Sequence, residues 1–408
     1  MAQSPVRAPR VVATTYDAFA IASPGFAPML ADELRALEVP IGEVSPAGVA
    51  FPATIETLMQ VNLWSRLASR VLIRLADFAA RDFATLERQA ARVPWSRVIA
   101  PGAQVRFRVT CKKSRLYHSD AVAERVARGV MAAVKTATLL DAARGDDDVD
   151  DGIEAPARNE QLIIVRLEHD RCTISADSSG DLLHRRGWRQ AVAKAPLRET
   201  LAAAMLTACE WNGERALVDP FCGSGTIGIE AALRARNMAP GLSRAFAMEQ
   251  WPGVDRPMLL MQRAEARAKV RPSAGVPIVM SDRDAGACAA ARANAERAGV
   301  LADVEIVQRP LSDVELPAIA TSGLLLTNPP YGLRLSEGAD LRNLFARLGD
   351  VVREGGAGWQ AAMLIPDRRM VASAQLPFDT VLRTSNGGLT VSVEMTTPKT
   401  HSASARQK

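Results

Sequence analysis

Cysteine, histidine and long apolar runs are all scarce in this chain of 408 residues, and each scarcity removes a class of function. The 5 cysteines are Cys111, Cys172, Cys209, Cys222 and Cys288, and there are 4 histidines. No two cysteines form a Cys-x-x-Cys pair, which disfavours a zinc site, an iron–sulfur cluster, or covalent and radical chemistry carried by cysteine. No metal is expected. Scattered single thiols suit a reducing cytoplasm, the expected location, and Cys222 reads as a small packing residue. No apolar run reaches the roughly 20 residues needed to cross a bilayer, and the amino terminus has no basic, apolar and cleavage-site order. No membrane partner is expected. An acidic run, Gly145 to Gly152, lacks the order of glycine and distal glutamate that a calcium loop requires, so it reads as a solvated insertion.

What is present is ordinary globular material: 48% hydrophobic, 23% charged, with a net charge of +5. The length allows two or three domains. The mild positive charge permits nucleic-acid binding without demonstrating it. Three stretches carry the chemistry. The first runs from a strand, Ala216-Leu217-Val218-Asp219, through the turn Pro220-Phe221-Cys222-Gly223-Ser224-Gly225-Thr226, into a helix from Ile227 to Arg236. Strand, glycine turn and helix form the nucleotide-binding unit of doubly wound sheets. Gly223 and Gly225 let backbone approach a ligand closely, because no Cβ intervenes. No Gly-Lys-Ser/Thr follows, so this is not a Walker A loop. Gly223, Gly225 and Gly228 have dinucleotide spacing, but Asp-Pro-Phe-Cys before them is foreign to dehydrogenases.

The second stretch is a strand over Val276–Met280, ended by Ser281-Asp282-Arg283-Asp284, then a helix from Ala285 to Ala298 stopped by Gly299. An acid in that place is where such folds bind ribose hydroxyls, and Asp284 suits an N-cap. A further strand, Val304–Val307, is followed by Gln308-Arg309-Pro310-Leu311-Ser312-Asp313. The third stretch is the buried strand Leu324–Thr327 ending in Asn328-Pro329-Pro330-Tyr331. The prolines stiffen the strand end and leave carbonyls free. Asn328 adds an acceptor and Tyr331 a flat face. That set fits a planar ring bearing an exocyclic amino group.

The front half alternates strands and helices. Residues 1–14 read as a disordered arm, 15–95 as a small α+β unit and 96–190 as a second unit. In the latter, the alternating strand Val105–Cys111 leads into a basic loop. There Lys112, Lys113, Arg115 and Tyr117 are suited to bind phosphates and stack on a base. A helix follows at Ala121–Met131, and a hairpin at Leu162–Leu167 and Arg171–Ser175. Lys194–Met205 reads as an amphipathic helix opening with proline. The long stretch Asn237–Gly275 reads as a functional or family-specific insertion, with Trp251 as a core residue. A terminal hairpin and a loose tail, 396–408, close the chain.

Taken together, these segments resemble one family across nearly the whole chain: the THUMP-containing guanine-N(2) RNA methyltransferases, in particular the amino-terminal, RlmL-like half of bifunctional 23S rRNA enzymes. DPFCGSGTIGIEAA, NPPYG and KAPLRETLAAAM carry the likeness. It implies an α/β fold. A ferredoxin-like leader and a THUMP RNA-binding module precede a Rossmann-like class I domain at 191–395, with a seven-stranded sheet and an antiparallel terminal strand. It implies S-adenosylmethionine (SAM) as cofactor, held by Asp219, Phe221, Gly223, Gly225, Thr226 and Asp282, with Arg283 over the adenine. Many relatives carry an acid where Pro310 stands, so Asp313 is the alternative contact there. Asn328, Pro329 and Tyr331 would be catalytic. The substrate would be RNA, with 23S rRNA favoured and tRNA possible; the oligomeric state is left open, with a monomer favoured. The same motifs also admit adenine N(6) methylation, a glutamine side chain, or a non-catalytic RNA-binding assembly factor. The chain stops before any second methyltransferase domain, so a second activity is not expected.

Overall fold

A computed structural model describes residues 15–141, 159–190, 197–330 and 341–397. The arm, the acidic run and most of the tail lie outside these residues. The front half forms one sheet from β1 (Tyr16–Ala22), β2 (Val44–Ser45), β3 (Gly48–Ala53), β4 (Ala68–Ala79), β5 (Gln104–Lys112), β6 (Thr138–Leu139), β7 (Glu160–Glu168) and β8 (Arg171–Asp177). Their order is β2-β3-β1-β4-β8-β7-β5-β6. The sheet is continuous because β4 serves both ends of it. Ala68 to Arg74 pair antiparallel with β1, while Leu72 to Ala79 pair antiparallel with β8. Sequence alternation marks only Leu72–Leu75 as strand. Beyond Arg74 the partner on the β1 side runs out, and exposed Arg74 and Asp77 break the apolar pattern.

Four helices pack on this sheet: α1 (Ala27–Ala36), α2 (Ile55–Trp64), α3 (Phe83–Ala90) and α4 (Ser119–Ala133). Thr54 and Asp82 cap α2 and α3, each side chain accepting from a backbone N–H of the first turn. Alternate strand residues Val71, Ile73, Val105, Phe107, Ile163, Val165 and Ile174 join the main core. Ile21, Leu72, Leu162 and Ile164 form a small cluster of their own.

The second sheet contains β9 (Ala216–Asp219), β10 (Ile278–Asp282), β11 (Glu305–Gln308), β12 (Gly323–Thr327), β13 (Trp359–Ile365), β14 (Phe378–Asn386) and β15 (Leu389–Thr396). Its order is β11-β10-β9-β12-β13-β15-β14. The first five are parallel, and β15, the last strand in the chain, runs antiparallel between β13 and β14. The strand order reverses between β9 and β12, which opens a crevice at their carboxyl ends. The helices of this half are α5 (Glu199–Ala208), α6 (Thr226–Ala235), α7 (Arg256–Ala268), α8 (Ala285–Arg297), α9 (Leu316–Ile319) and α10 (Arg342–Glu354). Residues of α5, α6 and α8 pack in the main core, and α10 in a second one. Among the described residues no helix is long and apolar enough to cross a membrane.

One expectation needs correction. α5 is not amphipathic: Glu199 to Leu206 are all buried. The helix is enclosed by α6, α1 and β14, so even its first-turn glutamate lies inside. The Asn237–Gly275 stretch contains α7, which packs on α2 of the front half. Gly241 N donates to the Leu63 carbonyl at 2.9 Å, and Arg66 Nη2 to the Met238 carbonyl at 2.6 Å. Trp251 is buried, with Nε1 donating to Gln161 Oε1 at 2.7 Å. The insertion is therefore a brace between the two sheets.

Gly349, inside α10, lies against the backbone after β13. A Cβ there would fall inside the radius of the Ala374 carbonyl oxygen, and backbone cannot yield as a side chain can. Glycine to alanine in a helix normally stabilises by about 1 kcal/mol. Here Gly349→Ala is expected to reverse the sign and destabilise by about 1–3 kcal/mol, as read from urea denaturation.

Candidate active site

Asp219 ends β9 at the centre of the crevice. Its side chain is 1% exposed, yet its partners are neutral. The Thr327 hydroxyl donates to Oδ1 at 2.6 Å, and the Phe221 N–H donates to the same oxygen at 3.2 Å. Burial pushes this carboxyl up to about 7; the Thr327 and Phe221 bonds oppose the rise and repulsion from Asp282 adds to it. Thr327 is the last residue of β12, so one hydrogen bond spans the point where strand order reverses. Sequence reading took Thr327 only as a strand residue. Its role depends on the register that sets Leu325 beside Val218, which is long-range information.

The turn after β9 holds its glycines for different reasons. Gly223 and Gly225 have φ of +51° and +86°, where a side chain is strained. A Cβ on Gly223 would meet nothing within 4 Å, so the space above it is open. One on Gly225 would press on Ala291 of α8, at 3.1 Å. The Gly223 N–H donates to Asp282 Oδ2 at 3.1 Å, tying the turn to the end of β10. Asp282 also accepts from the Asp284 N–H at 3.0 Å, and Asp284 caps α8 through the Gly286 and Ala287 N–H groups. Phe221 is half-buried against the second core. The Thr226 hydroxyl accepts from Arg189 Nη2 at 2.8 Å, a partner the sequence gave no sign of. Arg283 is exposed, and so is Asp313, which accepts from its neighbour Ser312 at 2.8 Å.

Asn328 and Pro329 follow directly on Thr327. The Asn328 side-chain oxygen is buried, and among the described residues no hydrogen-bond donor reaches it. An unpaired buried acceptor costs free energy, of the order of 1–3 kcal/mol, unless something donates to it. Tyr331 lies outside the described residues. The edge of the sheet therefore offers acceptors: two carboxylates and one amide oxygen. A ligand carrying an ammonium group and sugar hydroxyls fits Asp219, the open Gly223 turn and Asp282 on donor chemistry alone. The Cys222 thiol is pushed far up by burial beside Asp219 and Asp282, so it is no thiolate nucleophile. Transfer between two bound molecules suits this edge better than a covalent intermediate.

The basic loop is elsewhere, at the end of β5 in the first sheet. Lys112, Lys113, Arg115 and Tyr117 are all exposed. Tyr117 stacks on His118 with centroids 4.1 Å apart. Asp170 organises the loop, accepting from the Arg115 N–H at 2.8 Å and facing Arg81 Nε at 3.6 Å. Arg81 and the neighbouring Arg171 enlarge this basic end; strand reading had no means to bring them beside residues 112–117.

Strand order, the acid-and-glycine turn at the reversal and the asparagine ending the next strand are those of class I methyltransferases. Comparison with known proteins agrees. Residues 186–387 match the RMKL-like methyltransferase domain, and residues 17–72 the RlmL ferredoxin-like domain. The chain is 37% identical to "Ribosomal RNA large subunit methyltransferase K/L" of Syntrophotalea carbinolica, over 91% of this chain and 52% of that protein. It thus spans about half the length of that relative. A Synechocystis protein named "Putative RNA methyltransferase" is 33% identical, over 92% of this chain and 95% of its own length. A solved methyltransferase complexed with SAH superposes with a TM-score of 0.81 at 28% identity, covering 94% of this chain and 98% of that one. The chain belongs to the RMKL-like methyltransferase family, with an RlmL-type ferredoxin-like unit in front.

Because burial dominates at Asp219, one aspartate carboxyl should titrate near pH 7 by ¹³C NMR in the unliganded protein. Thr327→Val removes a donor that favours the ionised form, so the same resonance should titrate higher. A carboxyl titrating near 4 in both proteins would refute this account of the edge.

Proposed function

We propose that the protein transfers a methyl group from SAM to the N(2) amino group of a guanine in RNA, with 23S rRNA as substrate, acting in the cytoplasm. The unpartnered Asn328 oxygen carries the reading. It is an acceptor held at the sheet edge, one residue from the hydroxyl that braces Asp219. The large-subunit rRNA name of the relative supports the substrate class, and the SAH-bound relative supports the cofactor.

When bound, SAM supplies an already activated methyl group on its sulfonium. Asp219 accepts from the amino acid end and Asp282 from the ribose hydroxyls, while the Gly223 turn leaves room for close approach. The target amino group is a poor nucleophile, because its lone pair is delocalised into the ring. Asn328 Oδ1 and the Pro329 carbonyl would accept hydrogen bonds from its two N–H groups and favour a pyramidal nitrogen; on transfer the thioether leaves and one of the two protons is lost to water. Tyr331 stacks on the extruded base and holds it in line. Lys112, Lys113, Arg115 and Tyr117 hold RNA away from the reacting centre.

Mass spectrometry of nucleosides from separated 23S rRNA and tRNA, with and without the gene, tests the proposal. Loss of one N(2)-methylguanosine from rRNA is the expected result. Loss from tRNA, or of N(6)-methyladenosine, would overturn the substrate or the base. In the purified protein, Asn328→Ala should abolish transfer and keep SAM affinity, whereas Asp219→Ala should abolish SAM binding itself. A pH dependence follows from Asp219. A carboxyl raised to about 7 is half protonated at neutrality, and only its ionised form pairs with an ammonium group. SAM affinity should therefore rise with pH from 6 to 8 by roughly the change in ionised fraction. Affinity that is flat or falling across that range would exclude Asp219 as the ammonium's partner.

A further inference from the structure

The segment between β8 and α5 is fastened to α6 at two points. Arg189 Nη2 donates to Thr226 Oγ1 at 2.8 Å and to the Leu197 carbonyl at 2.7 Å, while Nε lies 3.0 Å from Glu199 Oε1. Three residues earlier, Arg186 Nε lies 3.5 Å from Glu230 Oε1, and its Nη2 donates to the Arg66 carbonyl at 2.8 Å. Thr226 and Glu230 are four residues apart on one face of α6. Arg66 lies between α2 and β4 of the front half, so these contacts join that half to the helix that carries the glycine turn. All five side chains are buried or nearly so.

Resting on the cofactor reading above, we propose that Arg189 is a positioning residue for SAM: it fixes Thr226, and through it the Gly223–Gly225 turn, so that cofactor affinity depends on the seating of the segment that leads out of the front half. Thr226 is the first residue of α6, directly after Gly225 in its left-handed conformation. Besides its covalent ends, the turn is held by the Cys222 N–H on the Ser281 carbonyl at 3.0 Å, the Gly225 N–H on the Cys222 carbonyl at 2.8 Å, the Gly223 N–H on Asp282, and Asn294 Nδ2 on the Ser224 carbonyl at 3.0 Å. All four bonds lie before Thr226. The forked grip of Arg189 secures the other side. Releasing it lets the first turn of α6 shift and re-aims the free N–H groups there. Arginine turns Nη2 to Leu197 and Thr226 and Nε to Glu199, and the single ammonium of lysine cannot hold both sides at once.

The test is calorimetry with SAH on Arg189→Met, Arg189→Lys, Thr226→Val and the Met/Val double variant, each with a thermal melt. Arg106→Ala is the control, because it breaks an ion pair with Glu160 at 2.5 Å in the first sheet, remote from α6. Arg189→Met and Thr226→Val should each weaken SAH about ten-fold, the scale of one charge-assisted hydrogen bond. The double variant should lose no more than Arg189→Met alone. Arg106→Ala should lower the melting temperature and leave affinity unchanged. If Arg189→Met does not fold, Arg189→Lys and Thr226→Val carry the test. A lower melting temperature with unchanged SAH affinity would reduce Arg189 to a structural role and overturn the proposal. Additive losses would make Thr226 a direct ligand and overturn it as well. Failure of the wild-type protein to bind SAH would instead remove the cofactor reading on which it stands.

Discussion

A carboxylate buried at the centre of a parallel sheet, bonded to an amide and a hydroxyl but not to a cation, is the constraint that organises the catalytic half. Asp219 cannot leave the crevice, because β9 is flanked by β10 and β12. Nor is it comfortable there, as its upward shift shows. Thr327 limits the cost by donating across the reversal in strand order. That bond fixes the end of β12, and the end of β12 sets Asn328. Asp219 and Asn328 are thus positioned by one contact. The buried carboxylate and the Asn328 oxygen, which no donor reaches among the described residues, each carry a cost that a donating ligand would lower. Local strain of this kind is expected where binding free energy is to be recovered.

The two sheets are joined by polar contacts that are buried and specific. Asn62 of α2 donates to Ser178 Oγ at 2.9 Å and accepts from Ser179 Oγ at 2.6 Å, and Met248 N donates to the Ser178 carbonyl. Arg244 spreads its guanidinium over the carbonyls of Ser179, Leu182, Asp181 and Arg185. Burial lowers Arg244 and Arg66 to about 10, so both remain charged at neutral pH. Breaking such a set one partner at a time leaves a charge stranded, at a cost of about 3–5 kcal/mol. Apolar packing alone would allow the halves to slide. A lattice of directed bonds gives one register.

The class of fold was legible because its signals are local. Strand, glycine turn and helix at 216–236 appear where read, with boundaries moved by one residue. Asp284 caps α8 as its sequence position indicated. The seven strands and the antiparallel final strand are those that the family resemblance implied. What sequence did not reveal is pairing across distance. β4 is three times the length its apolar alternation marks, because its second half is held by β8 and not by a core face. α5 reads as amphipathic because Glu199 and Arg198 suggest a wet side, yet its acid is buried against Arg189. Thr226 is expected at the cofactor from its place after the turn, and the bond its hydroxyl accepts from Arg189 is not legible in its own segment.

These misses share a cause that bears on how the halves work together. Thr327, Arg189, Arg186 and Glu230 are each unremarkable in their own segments, and each gains meaning only from a residue in another element. Three of the four sit on contacts made by the segment joining the two sheets. A methyltransferase half that needed only its own sheet would have no use for buried arginines reaching in from that segment. Their burial against α6 makes the front half part of the framework that holds the glycine turn. The front half therefore differs at its two ends: the basic loop after β5 is exposed, while the segment after β8 is buried against α6.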